Sequence, residues 1–324
     1  MTVCIAAIYN NNAILGVADR MLTSGDIEFE PPQAKILPLS KSIVAMTAGD
    51  ASIQTQLFSK VFTIVSKRIA EEPTKWVPVE DVAYLYRDNF IEIKENLAEK
   101  TILFPYGLTY DTFIARQHEM NKDFIDSINL KLENFILEDI ATIITGVDET
   151  GPHIFVLENE QVSWNDRIGF ASVGIGRYHA LSHFMLSKHT PYSLEAKTLL
   201  TIHQAKKKAE VSPGVGKETD MFVIGPGLGT LNFIRNLPNG RDMVKDLDKF
   251  YEKYTRRIDR WDKKSEVDIQ EYLQHLVSPT TTQQEVSPSA SVSPSASISP
   301  SASASPSAEV PKQRKPKKQK RNTR

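Results

Sequence analysis

The chain has 324 residues, 40% of them hydrophobic, and a formal net charge of −1, a composition that fits a soluble globular protein with one large domain or two small ones plus tails. Eight positive charges and no acid lie in residues 311–324, so the rest of the chain carries −9 and lacks the concentrated positive face that a nucleic-acid-binding core needs. Cys4 is the only cysteine, which excludes an intrachain disulfide and a multi-cysteine zinc site. No apolar run approaches the roughly 18 residues of a membrane span, and no charged leader with a long apolar segment opens the chain. A cytoplasmic protein whose mature chain starts at residue 2 is expected.

Thr2 is small enough that Met1 is expected to be trimmed, which leaves a hydroxyl and a free α-amine on one residue. That amine, with a pKa near ~8, can take the hydroxyl proton. Residues 2–8 are apolar, Asn10-Asn11-Asn12 is a turn cluster, and 13–18 is apolar again, a β-hairpin buried on at least one face. It ends in Asp19-Arg20, either a strand-end ion pair in water or a carboxylate held beside residue 2. Residues 21–32 read as a polar loop. A second hairpin follows, with strands near 34–37 and 42–48, ending in Gly49-Asp50. On composition alone, Lys35 is a strand lysine facing water.

Taken together, Thr2-Val3-Cys4-Ile5-Ala6-Ala7-Ile8, Gly16-Val17-Ala18-Asp19-Arg20, Ala34-Lys35-Ile36 and Met46-Thr47-Ala48-Gly49-Asp50-Ala51 resemble the opening of a proteasome β-type subunit and its bacterial relatives, the N-terminal nucleophile (Ntn) hydrolases. The gaps of 16 residues from Asp19 to Lys35 and 14 from Lys35 to Gly49 agree with the family's spacing. From Thr2 to Asp19 the chain is one residue longer, which the asparagine turn absorbs. The resemblance implies that Thr2 Oγ attacks a carbonyl while its own amine relays the proton. It implies that Lys35 stabilises the developing alkoxide, that Asp19 aims the lysine, and that Gly49 offers a backbone N–H to the oxyanion.

Beyond Gly49 the apolar spacing turns helical, predicting helices over 51–72 and 79–100 on one face of the sheet. Residues 101–135 read as an insertion, helical over 110–134 with a break near Asn121. A strand over 138–147, a hairpin turn and a return over 153–157 follow. Phe170-Ala171-Ser172-Val173-Gly174-Ile175-Gly176 leads into a helix over 177–188. The family usually has a serine between those two glycines, where this chain has Ile175. A helix over 193–210 ends in Lys206-Lys207-Lys208, read as a solvated helix end favoured by the dipole. By resemblance, Glu210 and Ser212 are candidates to support the threonine amine, although Pro213 stands where the serine would align. Residues 220–224 are a buried strand and Gly225-Pro226-Gly227-Leu228-Gly229 is a turn rather than a phosphate loop. His179 and His183 lack the intervening glutamate of a zinc motif and read as surface or packing residues.

The resemblance covers roughly 2–230 and implies an α+β fold, the four-layer αββα sandwich of Ntn hydrolases. The domain reading is an Ntn hydrolase domain over 2–236, a C-terminal helical extension over 237–277, expected as a charged helix pair, and a tail over 278–324. That tail has prolines at 288, 294, 300 and 306 and too little apolar area to order itself. The implied activity is that of a threonine endopeptidase in a self-compartmentalised homo-oligomeric ring, acting on proteins or peptides with no cofactor and no metal. The alternatives are an Ntn amidohydrolase on small amides and a catalytically inactive ring-forming subunit. No membrane partner is expected, and nucleic acid only through the basic tail.

Overall fold

The structure, a computed structural model, describes residues 2–24, 26–31, 35–137, 140–227, 229–234 and 242–277. The expected tail over 278–324 lies outside the described residues. The chain divides into two units, Met1–Ser265 and Glu266–Arg324.

Strands β1 (Cys4–Tyr9) and β2 (Ala13–Asp19) form the first hairpin. Its turn holds Asn10 at φ +50° and Asn11 at φ +52°, left-handed positions that asparagine accepts better than most residues. The predicted loop over 21–32 instead carries a small two-stranded sheet, β3 (Leu22–Ser24) against β4 (Ile27–Phe29). Three residues per strand are too few to display a period-2 pattern. The second hairpin pairs β5 (Ile36–Pro38) with β6 (Ile43–Ala48).

The Asp50 carboxylate accepts the backbone N–H groups of Ser52 and Ile53 at 2.8 and 2.9 Å, capping α1 (Ala51–Glu71). Helix α2 (Val79–Ala98) ends in a π-helical turn at Glu99–Leu103. Helices α3 (Tyr110–Arg116) and α4 (Lys122–Glu133) fill the predicted insertion, and the break near Asn121 is the cap of α4. The insertion packs on a small core of its own that includes Ile102, Leu103, Leu108, Phe113 and Ile128.

Strands β7 (Ala141–Asp148), β8 (Gly151–Glu158) and β9 (Gln161–Trp164) form a meander. Strand β10 (Phe170–Val173) leads through Gly174-Ile175-Gly176 to α5 (Arg177–Leu186). Then come α6 (Glu195–Ala209), β11 (Thr219–Ile224) and β12 (Leu231–Phe233). Where a helix pair was expected over 240–277, one helix of 35 residues, α7 (Met243–Val277), runs through. Its sequence has no glycine or proline to break it.

The fold is mixed, with antiparallel sheets. One has the order β10-β1-β2-β11-β12 and the other β5-β6-β7-β8-β9. Alternation along the strands decides what lies between and outside them. On β1, Cys4, Ala6 and Ile8 join a core shared with Val44 and Met46 of β6, whereas Ile5 and Ala7, with Val3 just ahead of the strand, join Ala180, Phe184, Ile202 and Ala205 of α5 and α6. On β6, Ile43 and Ala45 meet Leu57, Val61 and Tyr86 of α1 and α2. Both faces of β1, β2 and β6 are therefore buried, which is why their sequences are nearly continuous in apolar residues. Gly16 lies opposite Phe222 in the β2–β11 register, and a β-carbon at 16 would come within 2.1 Å of that ring.

His153 ties the β7–β8 hairpin to helix α2. Its Nδ1 is 2.8 Å from Asp166 Oδ2 and its Nε2 is 3.2 Å from Asp148 Oδ1, while Asp148 Oδ2 accepts the N–H of Val79 at 2.8 Å. The bond to Asp166, aided by Asp148, raises the imidazole pKa above its ordinary value. A raised folded value makes the stabilisation complete below the ordinary pKa, and it is lost as pH rises through the folded one. His153→Gln is thus expected to lower the urea midpoint more at about pH 5.5 than at about pH 8.5. Equal losses would mean that the imidazolium contributes nothing.

Candidate active site

Thr2 enters the site two residues ahead of β1 and Asp19 as the last residue of β2, so one hairpin brings them together across 17 positions. Lys35 arrives from the residue ahead of β5. Thr2 is 2% and Asp19 0% exposed, and the Lys35 side chain is 9% exposed. The Thr2 hydroxyl donates to Asp19 Oδ1, and Lys35 Nζ donates to Thr2 Oγ. Lys35 Nζ also lies 3.0 and 3.2 Å from the two Asp19 oxygens. The lysine that composition assigned to water is therefore an interior group, held by the carboxylate that the resemblance paired with it.

Backbone donors fix the carboxylate. Val3 N–H reaches Oδ1 at 2.8 Å, and Met21 and Gly216 N–H reach Oδ2 at 2.9 Å each. Such a ring of donors holds the carboxylate in a fixed orientation. Neighbouring strand residues face opposite ways, so Arg20 turns away from Thr2. Its guanidinium takes Asp220 of β11 in a two-pronged pair, with Nε 2.8 Å from Oδ2 and Nη2 against Oδ1. The two readings of Asp19-Arg20 are thus divided between the two residues.

Thr2 opens on a cleft of about 330 Å³ that Ala48, Gly49, Glu158, Gly174, Ile175, Arg177 and Tyr178 also line. Gly49 has φ +107°, a conformation that favours glycine. Arg177 Nη1 pairs with Glu158 and its guanidinium lies 4.9 Å over the Tyr178 ring, so this wall is polar but internally matched. Ile175, at the position where the family has serine, is 49% exposed.

The turn after β10 wraps Thr2 closely, a role that sequence reasoning missed although it noted both glycines. Gly176 N–H donates to Thr2 O at 3.3 Å. Gly174 has φ +90°, and a β-carbon there would lie 2.3 Å from Thr2 O and 2.7 Å from its Cγ2. Gly174→Ala is expected to cost about 1–3 kcal/mol through strain and overlap, read as a lower denaturant midpoint. An unchanged midpoint would show that the turn has room to yield.

The two supporting candidates have other partners. Glu210 accepts Lys206 Nζ at 2.5 Å and lies 3.3 Å from Lys207 Nζ. Ser212 is buried in a turn, where its N–H donates to Ala209 O at 3.0 Å and its O accepts Val215 N–H at 3.2 Å. Among the described residues no hydrogen bond joins either of them to Thr2. Lys206 is not part of a solvated helix end: its side chain is 0% exposed, and desolvation lowers its pKa while Glu210 opposes the fall. The signal was present in the spacing. Lys206 shares a helical stripe with Ile202, Ala205 and Ala209, all fully buried.

Cys4, one residue beyond Val3, is fully buried with its Sγ 3.5 Å from Thr47 O. Burial pushes its pKa up to about 12, with Lys35 opposing. It stays a neutral thiol and does not compete as a nucleophile. His183 is buried 3.1 Å from Gln204 Oε1 and His179 is exposed, the packing and surface roles expected of them. Among the described residues, no helix is long and apolar enough to cross a membrane.

The chain matches no protein-family model and no curated protein sequence.

Proposed function

We propose that this chain is a threonine-type peptidase of the Ntn class, with Thr2 as the nucleophile, working in a self-compartmentalised, proteasome-like ring in the cytoplasm. The observation that carries the reading is the buried contact of the Thr2 hydroxyl with Lys35 Nζ and Asp19 Oδ1 at the edge of an open cleft. Support for the αββα layering comes from two sheets that share one core while each packs helices on its other face.

The chemistry needs a free α-amine on Thr2, hence a cut between residues 1 and 2. Thr2 Oγ then attacks the scissile carbonyl carbon and passes its proton to the α-amine through a water. Lys35 stabilises negative charge on Oγ, and Asp19 holds lysine and hydroxyl in line. The carbonyl oxygen takes up negative charge beside the Gly49 N–H. When the C–N bond breaks, the leaving amine takes the proton from the α-ammonium and Thr2 remains acylated. Water cleaves that ester by the same route and restores hydroxyl and amine. A nucleophile that opens any extended chain calls for enclosure, which a ring of copies supplies.

An inactive ring-forming subunit is the second reading, favoured by exposed Ile175 in the cleft and by the capture of Glu210 by Lys206. Intact mass and a peptide epoxyketone, whose morpholine adduct consumes both the hydroxyl and the amine of a terminal threonine, separate the two. Loss of residue 1 and an adduct on Thr2 are expected. Retention of residue 1 would sink the threonine mechanism, and its loss without an adduct would favour the inactive subunit. Turnover of unfolded protein but not of small amides would separate peptidase from amidohydrolase, and elution as a monomer on a sizing column would overturn the ring.

A further inference from the structure

Lys206 is a charged side chain with no exposed surface and no place in the reaction above. A buried ammonium costs several kcal/mol unless its donors are matched, and here all three are. Nζ reaches Glu210 Oε1 at 2.5 Å, Gly216 O at 2.9 Å and Lys217 O at 2.7 Å. An aliphatic residue in the same stripe would pack against Ile202 and Ala209 equally well. What the ammonium adds is a grip on two consecutive carbonyls of the segment ahead of β11.

That segment also touches the candidate nucleophile's carboxylate. Gly216 N–H donates to Asp19 Oδ2 at 2.9 Å. Of the three backbone donors on Asp19 among the described residues, Val3 immediately precedes the hairpin that carries it and Met21 lies two residues past the end of that hairpin, whereas Gly216 comes from 197 positions away. The segment is pinched from its other side as well. Glu30 Oε1 accepts Glu218 N–H at 3.1 Å and sits 2.0 Å from where a Gly216 β-carbon would be. The segment is thus held by Glu30 on one side and by the Lys206 ammonium on the other.

We infer that Lys206, itself aimed by Glu210, is a positioning residue: it fixes the Gly216–Lys217 carbonyls so that the Gly216 N–H locks Asp19 Oδ2 and leaves Oδ1 facing Thr2 and Lys35. The inference rests on the threonine-nucleophile reading for its catalytic consequence, but its geometry can be tested without it.

The test is Lys206→Met in the full chain. It removes the donors and keeps the volume, and Lys207, 3.3 Å away, remains as partner for Glu210. Two readouts are taken: amide hydrogen exchange at Gly216, and the rate of Thr2 adduct formation with the peptide epoxyketone. Exchange at Gly216 is expected to accelerate, and adduct formation to slow by on the order of 10- to 100-fold with little change in the concentration for half-maximal rate. Lys206→Met/Glu210→Met separates positioning from bulk stability, because it leaves no unmatched carboxylate. Recovery of the melting temperature with the adduct rate still low supports the inference. Recovery of both, or unchanged Gly216 exchange in Lys206→Met, overturns it. If Lys206→Met fails to fold, the double variant alone decides on the same two readouts. If the wild-type chain forms no adduct, the threonine reading fails, while faster Gly216 exchange still supports Lys206 as the residue that positions this loop and unchanged exchange still overturns it.

Discussion

If Thr2 is the nucleophile proposed above, Thr2→Ala is expected to abolish epoxyketone labelling and hydrolysis, a loss on the order of 10⁴-fold or more, and Thr2→Ser to keep a measurable fraction of both; this is the largest activity effect expected in the chain. The alanine removes the attacking oxygen and leaves the amine without a proton to relay. Stability falls modestly, by about 1–2 kcal/mol, since the hydroxyl's two hydrogen bonds, to Asp19 and from Lys35, are lost while both partners keep others. Asp19 keeps its backbone donors and Lys35, and Lys35 keeps both Asp19 oxygens. Serine restores the oxygen but not the methyl group, which packs beside Gly174. The checks are initial rates on an unfolded protein substrate and denaturant midpoints of the three forms. Residual turnover above about a tenth of wild type would place the nucleophile elsewhere. Cys4 does not fill that place, because burial holds its thiol neutral.

How much of this site was legible depended on sequence distance. Thr2, Asp19, Lys35 and Gly49 all sit at ends of the first two hairpins, so the apolar runs that mark those strands also bring their ends together. The inward turn of Lys35 was not readable from its own neighbours, because its partner lies 16 residues away. The spacing motif supplied what periodicity could not. In the back half the order reverses. Helix α6 was evident, but a run of three lysines looks solvated unless each is placed on the helical wheel, where Lys206 falls with Ile202 and Ala205. Reading Glu210 as a partner of the amine overlooked its i, i+4 relation to that lysine.

The elements missed or misjudged share a physical cause. Strands β3, β4 and β12 have three residues each and β9 four, too short for a period to emerge, and their pairing is set by neighbours already in place. Where a charged helix pair is expected, α7 runs as one helix because no glycine or proline interrupts it. Gly16 and Gly174 read as ordinary glycines until the groups they admit, the Phe222 ring and the Thr2 carbonyl, are located.

Asp19→Asn is expected to have the largest effect on stability, about 3–5 kcal/mol, together with near-complete loss of Thr2 labelling. The Lys35 ammonium stays in a buried site without its anion. The new amide cannot accept from every former donor. If its oxygen serves Met21 and Gly216, its NH₂ group faces Val3 N–H, the Thr2 hydroxyl and Lys35. Adding Lys35→Met removes the stranded charge and fills its volume, so the double variant should regain part of the lost urea midpoint. It should regain none of the labelling rate, since neither the alkoxide stabiliser nor its holder is present. The non-additivity in stability, set against the absence of any recovery in rate, separates what the pair does for folding from what it does for the nucleophile. Equal midpoints for Asp19→Asn and the double variant would show that lysine and carboxylate are not coupled in the folded chain. Recovery of labelling alongside stability would show that Thr2 needs neither of them.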